Sequence, residues 1–255
     1  MRLIGKWLNA GVLEDGALTR PGEGTPQGGV ISPLLANVYL HYVLDEWFER
    51  EVRPRLIGRA YLVRYADDFI MGFELEEDAR RVLAVLPKRF ERYGLTLHPE
   101  KTRLVAFQRP NRPPDGGSGS GPKPETFDLL GFTHYWAKSR KGYWVVKQKT
   151  ARKRFTRALK RVAEWCRMNR HRPIAEQHEK LSVKLRGHYA YYGITGNSFT
   201  LTRFRKEVTL VWRRWLSRRR RAGQVGWDWF TRVLARYPLP QAISVHSAYR
   251  LAAKP

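Results

Sequence analysis

Two adjacent aspartates, Asp67 and Asp68, interrupt the otherwise apolar stretch VRYADDFIMGF. The apolar residues on both sides predict a buried hairpin tip, where neighbouring carboxylates repel each other unless a cation offsets their charge. Carboxylate oxygens on a short turn suit Mg²⁺, which proteins bind through one or two carboxylates together with substrate phosphates. The pair therefore predicts a Mg²⁺ site for phosphoryl transfer, although an isolated Asp-Asp pair is more often a solvated turn.

The charge of the chain indicates a polyanionic partner. Lys and Arg number 48 against 23 Asp and Glu, which gives a formal net charge of +25. Such an excess favours nucleic acid. A membrane surface is the weaker alternative, because no stretch approaches ~18 uninterrupted apolar residues. The N-terminal stretch does not read as a signal peptide, so we expect a cytoplasmic protein, and the single cysteine, Cys166, permits no internal disulfide.

Most of the positive charge lies in the second half of the chain. From Lys138 to Arg221 there are 26 Lys and Arg but only four acidic residues. A charge run is most often a solvated face, but here few acids are available to neutralise it, so phosphate contact is the favoured interpretation. The cations predicted to bind RNA are Arg152, Lys153, Arg154, Arg157, Lys160, Arg161, Lys184, Arg186, Arg213, Arg214, Arg218 and Arg219.

The elements around the aspartates follow from residue patterns. RAYLVRYADDFIMGF predicts two strands around a tight turn. A helix is expected to open at Ser32-Pro33, with serine as N-cap and proline at the first helical position. A second helix is expected over 76–94, with Pro87 kinking or interrupting it. LTLHPEKTRLVAF, residues 95–107, predicts a further pair of strands.

The remaining segments divide the chain into two parts. Residues 108–124 predict a flexible loop, and FDLLGFTHYW with GYWVVKQ predicts a short hairpin. After Thr150 the apolar spacing becomes helical, and a last helix is expected to be capped by Asp228. The fold class is therefore α+β, with an α+β domain over 1–148 and a basic helical domain over 149–255.

Five blocks, in order along the chain, resemble group II intron-encoded reverse transcriptase/maturases. YADD resembles the catalytic motif of reverse transcriptases, and EGTPQGGVISPLLANVYL resembles the palm motif that precedes it. YGLTLHPEKTRLVAF is similar to the next family block, and FDLLGFTHYW to the block that grips the primer. LSVKLRGHYAYYG resembles the maturase or thumb region. A lone YADD would be a weak signal, whereas five ordered blocks are specific.

The resemblance implies a fold and an activity. The fold would be a partial reverse-transcriptase palm, a small antiparallel sheet with helices, followed by a basic α-helical thumb/maturase domain. The complete enzyme would be an RNA-directed DNA polymerase that uses Mg²⁺, an RNA template, a DNA primer and deoxynucleoside triphosphates. It would also bind its intron RNA, assist splicing and support intron mobility.

The resemblance also assigns roles near the aspartates. Asp67 would be a metal ligand and Asp68 would support the same acidic centre, unless Asp68 mainly fixes the turn. The residues that would lie near the template or the incoming nucleotide are Pro26, Gln27, Gly28, Gly29, Tyr65, Ala66 and Lys101. Two consecutive glycines permit close approach of backbone to a ligand, but an ordinary helix-entry loop is the alternative.

Two further roles come from the later blocks. Lys101 would contact the triphosphate or protonate the leaving pyrophosphate, and a solvated lysine is the alternative. Leu130, Gly131 and Phe132 would back the primer strand as a primer grip, and a plain core strand is the alternative.

One part of the family pattern is not visible in the sequence. Polymerases of this type carry another metal-binding aspartate on a palm strand before the PQGG turn. Asp15 precedes that turn but lies beside Gly16 in a predicted hairpin, so it is not assigned this role. We therefore expect an incomplete catalytic site that needs an N-terminal fragment. The alternatives are a non-enzymatic RNA-binding maturase-like factor, a remnant of a mobile element, or a reverse transcriptase of a retron or CRISPR-associated lineage.

Overall fold

The computed structural model describes most of the chain in two compact units. The units comprise residues 1–104 and 105–255, whereas the sequence places the boundary after residue 148. The strands before residue 150 bond to the segment that leads into the helices after it, as in the bond from Ala151 N to Gly131 O (2.9 Å). The described residues are 5–6, 12–14, 17–19, 31–110, 124–219 and 226–246.

The described part of the first unit contains two antiparallel hairpins. Strand β1 (Val12–Glu14) pairs with β2 (Ala17–Thr19), which confirms the hairpin predicted around Asp15. Strand β3 (Ala60–Tyr65) pairs with β4 (Asp68–Phe73), as the sequence predicts for the aspartate hairpin.

Helix α1 (Ser32–Leu40) begins with Pro33 in its first turn, as predicted. The predicted serine cap is wrong, because Ile31 is the N-cap residue and its carbonyl accepts bonds from the amides of Leu34 and Leu35. Ser32 is already helical, so its side chain is past the position from which a serine caps.

The chain remains helical beyond α1, with two wider π-helical stretches followed by a tighter 3₁₀ turn. Residues His41–Asp45 and Phe48–Val52 are π-helical, and Arg53–Arg55 form a 3₁₀ turn. Single π-helical turns often mark functional sites. Here they bring Leu44 and Phe48 into full burial, where both pack in the core of the first unit.

Helix α2 (Glu76–Glu91) packs on the same core through Val82, Leu86 and Phe90. The predicted interruption at Pro87 is wrong, because the helix runs on for four residues beyond it. Pro87 lies on the exposed side of the helix, so the carbonyl that loses its amide partner can be hydrated while the buried side chains hold the helix together.

The pair of strands predicted over residues 95–107 is wrong. This stretch is an irregular segment with a turn, in which the amides of Lys101 and Thr102 donate to the carbonyl of His98. The apolar alternation has another cause, since Leu95 and Leu97 pack against the core of the first unit rather than into a ladder.

The second unit opens with a three-stranded antiparallel sheet. Strands β5 (Phe127–Leu129), β6 (Phe132–Lys138) and β7 (Trp144–Thr150) lie in that order. The sequence predicts only a two-stranded hairpin here. The extra strand arises because a two-residue turn at Leu130 and Gly131, both with positive φ, folds β5 back onto β6.

Four helices follow within residues 151–219 and 226–246, as the helical spacing after Thr150 predicts. They are α3 (Arg152–Met168), α4 (Ile174–Tyr192), α5 (Ser198–Ser217) and α6 (Trp227–Arg236). The expected cap at Asp228 is wrong, because Gly226 is the N-cap residue and Asp228 lies in the first helical turn. An acid in that turn still favours the helix through the helix dipole.

The core of the helical part centres on Trp212, which is fully buried. Its indole Nε1 donates to the side-chain oxygen of Gln177 (3.0 Å). The Gln177 amide nitrogen in turn donates to the carbonyls of Arg170 and Arg172 in the α3–α4 connection. A buried polar network of this kind fixes the packing of helices because each group is costly to leave unpaired.

Cys166 lies in the same core and is fully buried. Burial raises the pKa of its thiol to about 12, although Lys184 opposes the shift. The thiol is therefore protonated at neutral pH.

Candidate active-site turn and nucleic-acid interface

The turn between β3 and β4 displays both aspartates. Tyr65 pairs with Asp68, so Ala66 and Asp67 form a two-residue loop. Ala66 adopts a left-handed backbone with φ of 53°, a conformation that two-residue hairpin loops require and that glycine usually supplies. Asp67 and Asp68 are both exposed, so the expectation of a buried tip is wrong.

The reason for this exposure is that the hairpin buries only one face. Tyr61, Val63 and Tyr65 alternate along β3 and are each more than half exposed. Leu62 and Arg64 point the other way and are partly buried, with Leu62 packed on the core. The apolar residues around YADD therefore cover one face of a two-stranded ribbon rather than enclose its tip.

Arg64 connects this hairpin to the helical path. Its Nε and Nη2 donate to the two carboxylate oxygens of Asp45 at 2.7 and 2.6 Å. Its Nη1 donates to the side-chain oxygen of Asn37 (2.9 Å) and to the carbonyl of Ala66 (3.0 Å). One guanidinium thus joins α1, the first π-helical turn and the aspartate turn.

The charge of Asp45 is stabilised by this contact. Burial raises the pKa of Asp45, but the bonds and charge of Arg64, with a smaller contribution from His41, outweigh burial and hold the pKa below its usual value. Asp45 is thus ionised at neutral pH, and the pair is a bidentate arginine–carboxylate contact.

Sequence reasoning missed both Arg64 and Asp45. The signal was nevertheless present, since strand alternation places Arg64 on the same face as Ala60 and Leu62. A charged residue on a core-facing position needs a paired acid. The identity of that acid could not be read locally, because Asp45 lies 19 residues away.

The turn fits a hydrated metal ion in its donor chemistry. Asp67 and Asp68 supply exposed carboxylate oxygens, and Mg²⁺ commonly completes its coordination with water and substrate phosphates. Within the described residues, no cluster of three or more Asp, Glu, His or Cys side chains could hold a metal. The two carboxylates therefore form a partial ligand set.

The other residues predicted near the nucleotide are only partly described. Tyr65 and Ala66 belong to the turn itself and are exposed. Lys101 is exposed in the turn after His98, and no hydrogen bond or ion pair among the described residues joins it to Asp67 or Asp68. Pro26, Gln27, Gly28 and Gly29 lie outside the described residues, as do residues 111–123 of the predicted loop.

The predicted primer grip is a turn in the second unit that is held by contacts with tyrosine side chains. Leu130 and Gly131 have φ of 50° and 81°, and a Cβ on Gly131 would meet the Tyr192 hydroxyl at 3.0 Å. The Tyr191 hydroxyl donates to the Leu130 carbonyl (2.9 Å), and Phe132 stacks on Tyr191 with ring centroids 5.9 Å apart. These contacts join the FDLLGFTHYW block to the RGHYAYYG block.

Six of the predicted RNA-binding cations form one cluster on the first turns of α3. All six side chains are exposed, and none of the ion pairs between described residues includes any of them. Cations at a helix N-terminus oppose the helix dipole, so this arrangement does not serve the stability of α3. Members of the α3 cluster are Arg152, Lys153, Arg154, Arg157, Lys160 and Arg161.

Three of the other predicted cations lie over aromatic rings. Lys184 lies over the ring of Trp165, Arg213 over Trp227 and Arg218 over Trp215, with 5.6, 3.8 and 4.6 Å to the ring centroids. Cations held on aromatic rings still present charge to a phosphate.

Three further cations complete the predicted set. Arg219 donates to the carbonyl of His171 (3.2 Å), and Arg186 and Arg214 are exposed. Arg220 and Arg221 lie outside the described residues. The α3 cluster is therefore the densest group of exposed cations among the predicted residues.

His188 has a packing role within the RGHYAYYG block. Its ring stacks on Phe204 with centroids 3.9 Å apart and lies 4.6 Å from the ring of Tyr192. Its Nε2 atom is buried without a hydrogen-bond partner, and burial lowers the pKa of His188 to about 4. The imidazole is therefore neutral in the folded chain at neutral pH.

This burial predicts a pH-dependent stability. The unfolded chain takes up a proton on His188 below pH ~6.5, whereas the folded chain does so only near pH 4. Acidification from about pH 7 to about pH 5 should therefore cost about 1–2 kcal/mol of unfolding free energy through His188. His188→Phe keeps the ring stack but cannot titrate. In urea denaturation at the two pH values, we therefore expect the unfolding free energy of this variant to fall by about 1–2 kcal/mol less than that of the unchanged chain. Equal losses in both proteins would contradict this assignment.

A comparison with protein families gives one match. The sequence profile of the family described as "Reverse transcriptase (RNA-dependent DNA polymerase)" matches residues 4–134, which is just over half of the 255 residues. The matched stretch includes the aspartate turn and the primer-grip turn.

Similar curated proteins include the Group II intron-encoded protein LtrA of Lactococcus lactis subsp. cremoris. It is 58% identical over 120 residues, which cover 42% of this chain and 20% of LtrA. An uncharacterized 91 kDa protein in the cob intron of Schizosaccharomyces pombe is 51% identical over 49 residues, 19% of this chain and 6% of that protein. Protein YkfC of Escherichia coli K12 is 36% identical over 98 residues, 28% of this chain and 25% of YkfC. The chain thus spans about a fifth of the length of LtrA.

Proposed function

We propose that this chain, which belongs to the reverse transcriptase (RNA-dependent DNA polymerase) family, is the aspartate-bearing and RNA-binding portion of a group II intron-type reverse transcriptase/maturase. The observation that carries the proposal is the tight turn that exposes both Asp67 and Asp68 at the tip of β3 and β4. The 58% identity to LtrA supports the group II intron type over the retron or CRISPR-associated alternatives.

Reverse transcriptases as a family use divalent metal ions, and we assign Mg²⁺ to this turn. Asp67 would be a direct ligand, and Asp68 would hold the same ion or keep the turn negative. When bound, Mg²⁺ would activate the primer 3′-hydroxyl and offset charge on the incoming deoxynucleoside triphosphate. Lys101, an exposed cation in the same unit, would contact that triphosphate.

The second unit would bind the nucleic acids, as a thumb/maturase domain. The α3 cluster would contact phosphates of the intron RNA and of the template–primer duplex, since phosphate contacts supply most of the sequence-independent affinity. The turn at Leu130, Gly131 and Phe132 would back the primer strand. Tyr191 and Tyr192 fix this turn, so the strand would meet a surface set before binding.

The catalytic site requires more than the described residues supply. A two-metal polymerase site needs a further carboxylate, and the described residues do not bring a third acidic side chain to Asp67 and Asp68. We therefore propose that fingers and a further palm aspartate, in an N-terminal segment on the same or on a separate chain, complete the site. No helix within the described residues is long and apolar enough to span a membrane. Because its proposed partner is an intron RNA, we propose that the assembled enzyme acts in the cytoplasm.

Primer extension tests this function. The chain should be assayed with Mg²⁺ on an RNA template and a DNA primer, alone and together with a separately expressed fingers-and-palm segment from a group II intron-type relative. We expect synthesis only with the added segment. Asp67→Ala and Asp68→Ala should each reduce that synthesis to background, because each removes a carboxylate from the metal site.

A matched control is Asp228→Ala, which removes an exposed aspartate from the first turn of α6 and should leave synthesis unchanged. Robust synthesis by residues 1–255 alone would contradict the proposed need for a further segment. Salt-sensitive RNA binding without synthesis in the complemented sample would instead favour a non-enzymatic RNA-binding factor.

A further inference from the structure

The turn that carries the aspartates is strained at one residue. Ala66 is one of two non-glycine residues in the described chain with positive φ. A left-handed conformation is unfavourable for an L-residue with a side chain and persists only where the surroundings hold it. The strand pairing of Tyr65 with Asp68 holds the two ends of the turn. The carbonyl of Ala66 bonds to a different group.

That group is the guanidinium of Arg64. Its Nη1 donates to the Ala66 carbonyl at 3.0 Å, while its other nitrogens bind Asp45. The Arg64 side chain is only 13% exposed, so solvent weakens these contacts little. The bidentate pair fixes the orientation of the guanidinium plane, and that plane determines where Nη1 points.

The residues that hold Arg64 lie on the helical segment that follows the PQGG block in the sequence. Asp45 ends the first π-helical turn and Asn37 lies on α1. The adjacent residues Val43 and Leu44 are fully buried in the core of the first unit. The contacts of Arg64 therefore connect the aspartate turn to residues beside the buried core of the first unit, and not to the hairpin alone.

We propose that Arg64 is a positioning residue, which holds Ala66 in its left-handed conformation so that the carboxylates of Asp67 and Asp68 stay together for the metal. Asp45 fixes Arg64 in turn. This inference rests on the proposed function only for the metal. The contact by which Arg64 holds the turn does not depend on the metal.

The same hairpin supplies a matched control. Arg59 and Glu74 form an arginine–carboxylate pair at the open end, with Arg59 Nε 3.1 Å from Glu74 Oε2. The two pairs share chemistry and flank the same two strands, but Arg59 lies at the end opposite the turn. A general loss of hairpin stability would follow from either change, whereas loss of the turn should follow only from the change at Arg64.

The first measurement is amide hydrogen exchange of peptides covering β3, the turn and β4, without metal. Arg64→Gln should speed exchange next to the turn by about tenfold or more, while Arg59→Gln should speed it only at the open end. Circular dichroism and the Tm establish that each variant is folded. Should Arg64→Gln fail to fold, Arg64→Lys keeps a charge for Asp45 but cannot hold Asp45 and Ala66 at once, and it should show the same local change.

The second measurement is binding of Mn²⁺ alone, by electron paramagnetic resonance of the full chain. Loss of a partner that orients metal ligands typically costs about 10–100-fold in affinity, and we expect a loss in this range for Arg64→Gln and Asp45→Asn. Arg59→Gln should stay within about twofold of the unchanged chain. Asp67→Ala with Asp68→Ala sets the background.

The outcomes separate the two proposals. Unchanged exchange at the turn in folded Arg64→Gln, or equal effects from Arg59→Gln, would overturn the positioning role. Background Mn²⁺ binding by the unchanged chain, both alone and with the added fingers-and-palm segment, would overturn the metal site, and the exchange experiment would then decide the role of Arg64 by itself. Faster exchange with unaltered Mn²⁺ affinity would overturn the link between the turn and the metal.

Discussion

Replacing Lys153, Arg157 and Lys160 together by glutamine should weaken RNA binding by about 100-fold at 0.1 M salt. These three lie on one face of α3, are exposed, and form no ion pair with a described residue. Each phosphate contact contributes about 0.7 to the slope of log affinity against log salt for single strands, so three lost contacts remove about 2 from that slope. Filter binding of an intron RNA over a salt series measures both quantities.

The control for this variant removes the same charge elsewhere. Arg80, Arg167 and Arg172 are exposed and each faces a glutamate on its own helix or next to it. Their triple replacement by glutamine also lowers the net charge by three, but it should change the affinity by less than about threefold. Similar losses for both variants would indicate that only the net charge matters and that α3 is not the binding face.

Trp212→Ala should destabilise the second unit by about 3–5 kcal/mol. The side chain is fully buried against Phe230 and the helices around it, and large-to-small changes at such positions leave a cavity. A loss of this size is a large part of the ~5–15 kcal/mol that a domain commonly has. Urea denaturation followed by circular dichroism gives the change in unfolding free energy.

Two further variants separate packing from hydrogen bonding. Trp212→Phe keeps most of the volume but leaves the buried Gln177 oxygen without its donor, so we expect a loss of about 1–3 kcal/mol. Phe199→Ala removes an aromatic ring that is 80% exposed on the same helix and should change stability by less than about 0.5 kcal/mol. A loss below about 1 kcal/mol for Trp212→Ala would contradict the assigned core.

The helices could be predicted because their apolar residues repeat at steps of three and four. Leu201, Phe204 and Val208 are all buried, as that spacing requires. At residues 95–107, the spacing of apolar residues could not distinguish a strand from an irregular segment. Alternating Leu95 and Leu97 fit a strand equally well, and only the presence of a pairing partner decides between a strand and a segment packed on a core.

The site could be predicted in part for a similar reason. A tight turn carrying Asp67 and Asp68 follows from two flanking apolar runs, which are local signals. The exposure of that turn depends on how many strands cover each face, and the contact of Arg64 with Asp45 depends on the path of α1 and its π-helical turns. Neither is encoded within a window of a few residues.

The buried thiol of Cys166 has a practical consequence for following these molecules in solution. Because its pKa is about 12 and its side chain is inaccessible, a maleimide dye has no reactive native site. Thr156→Cys would add one exposed thiol within the α3 cluster, and a dye would attach there alone. Fluorescence could then report RNA arrival at α3 without removal of a core residue.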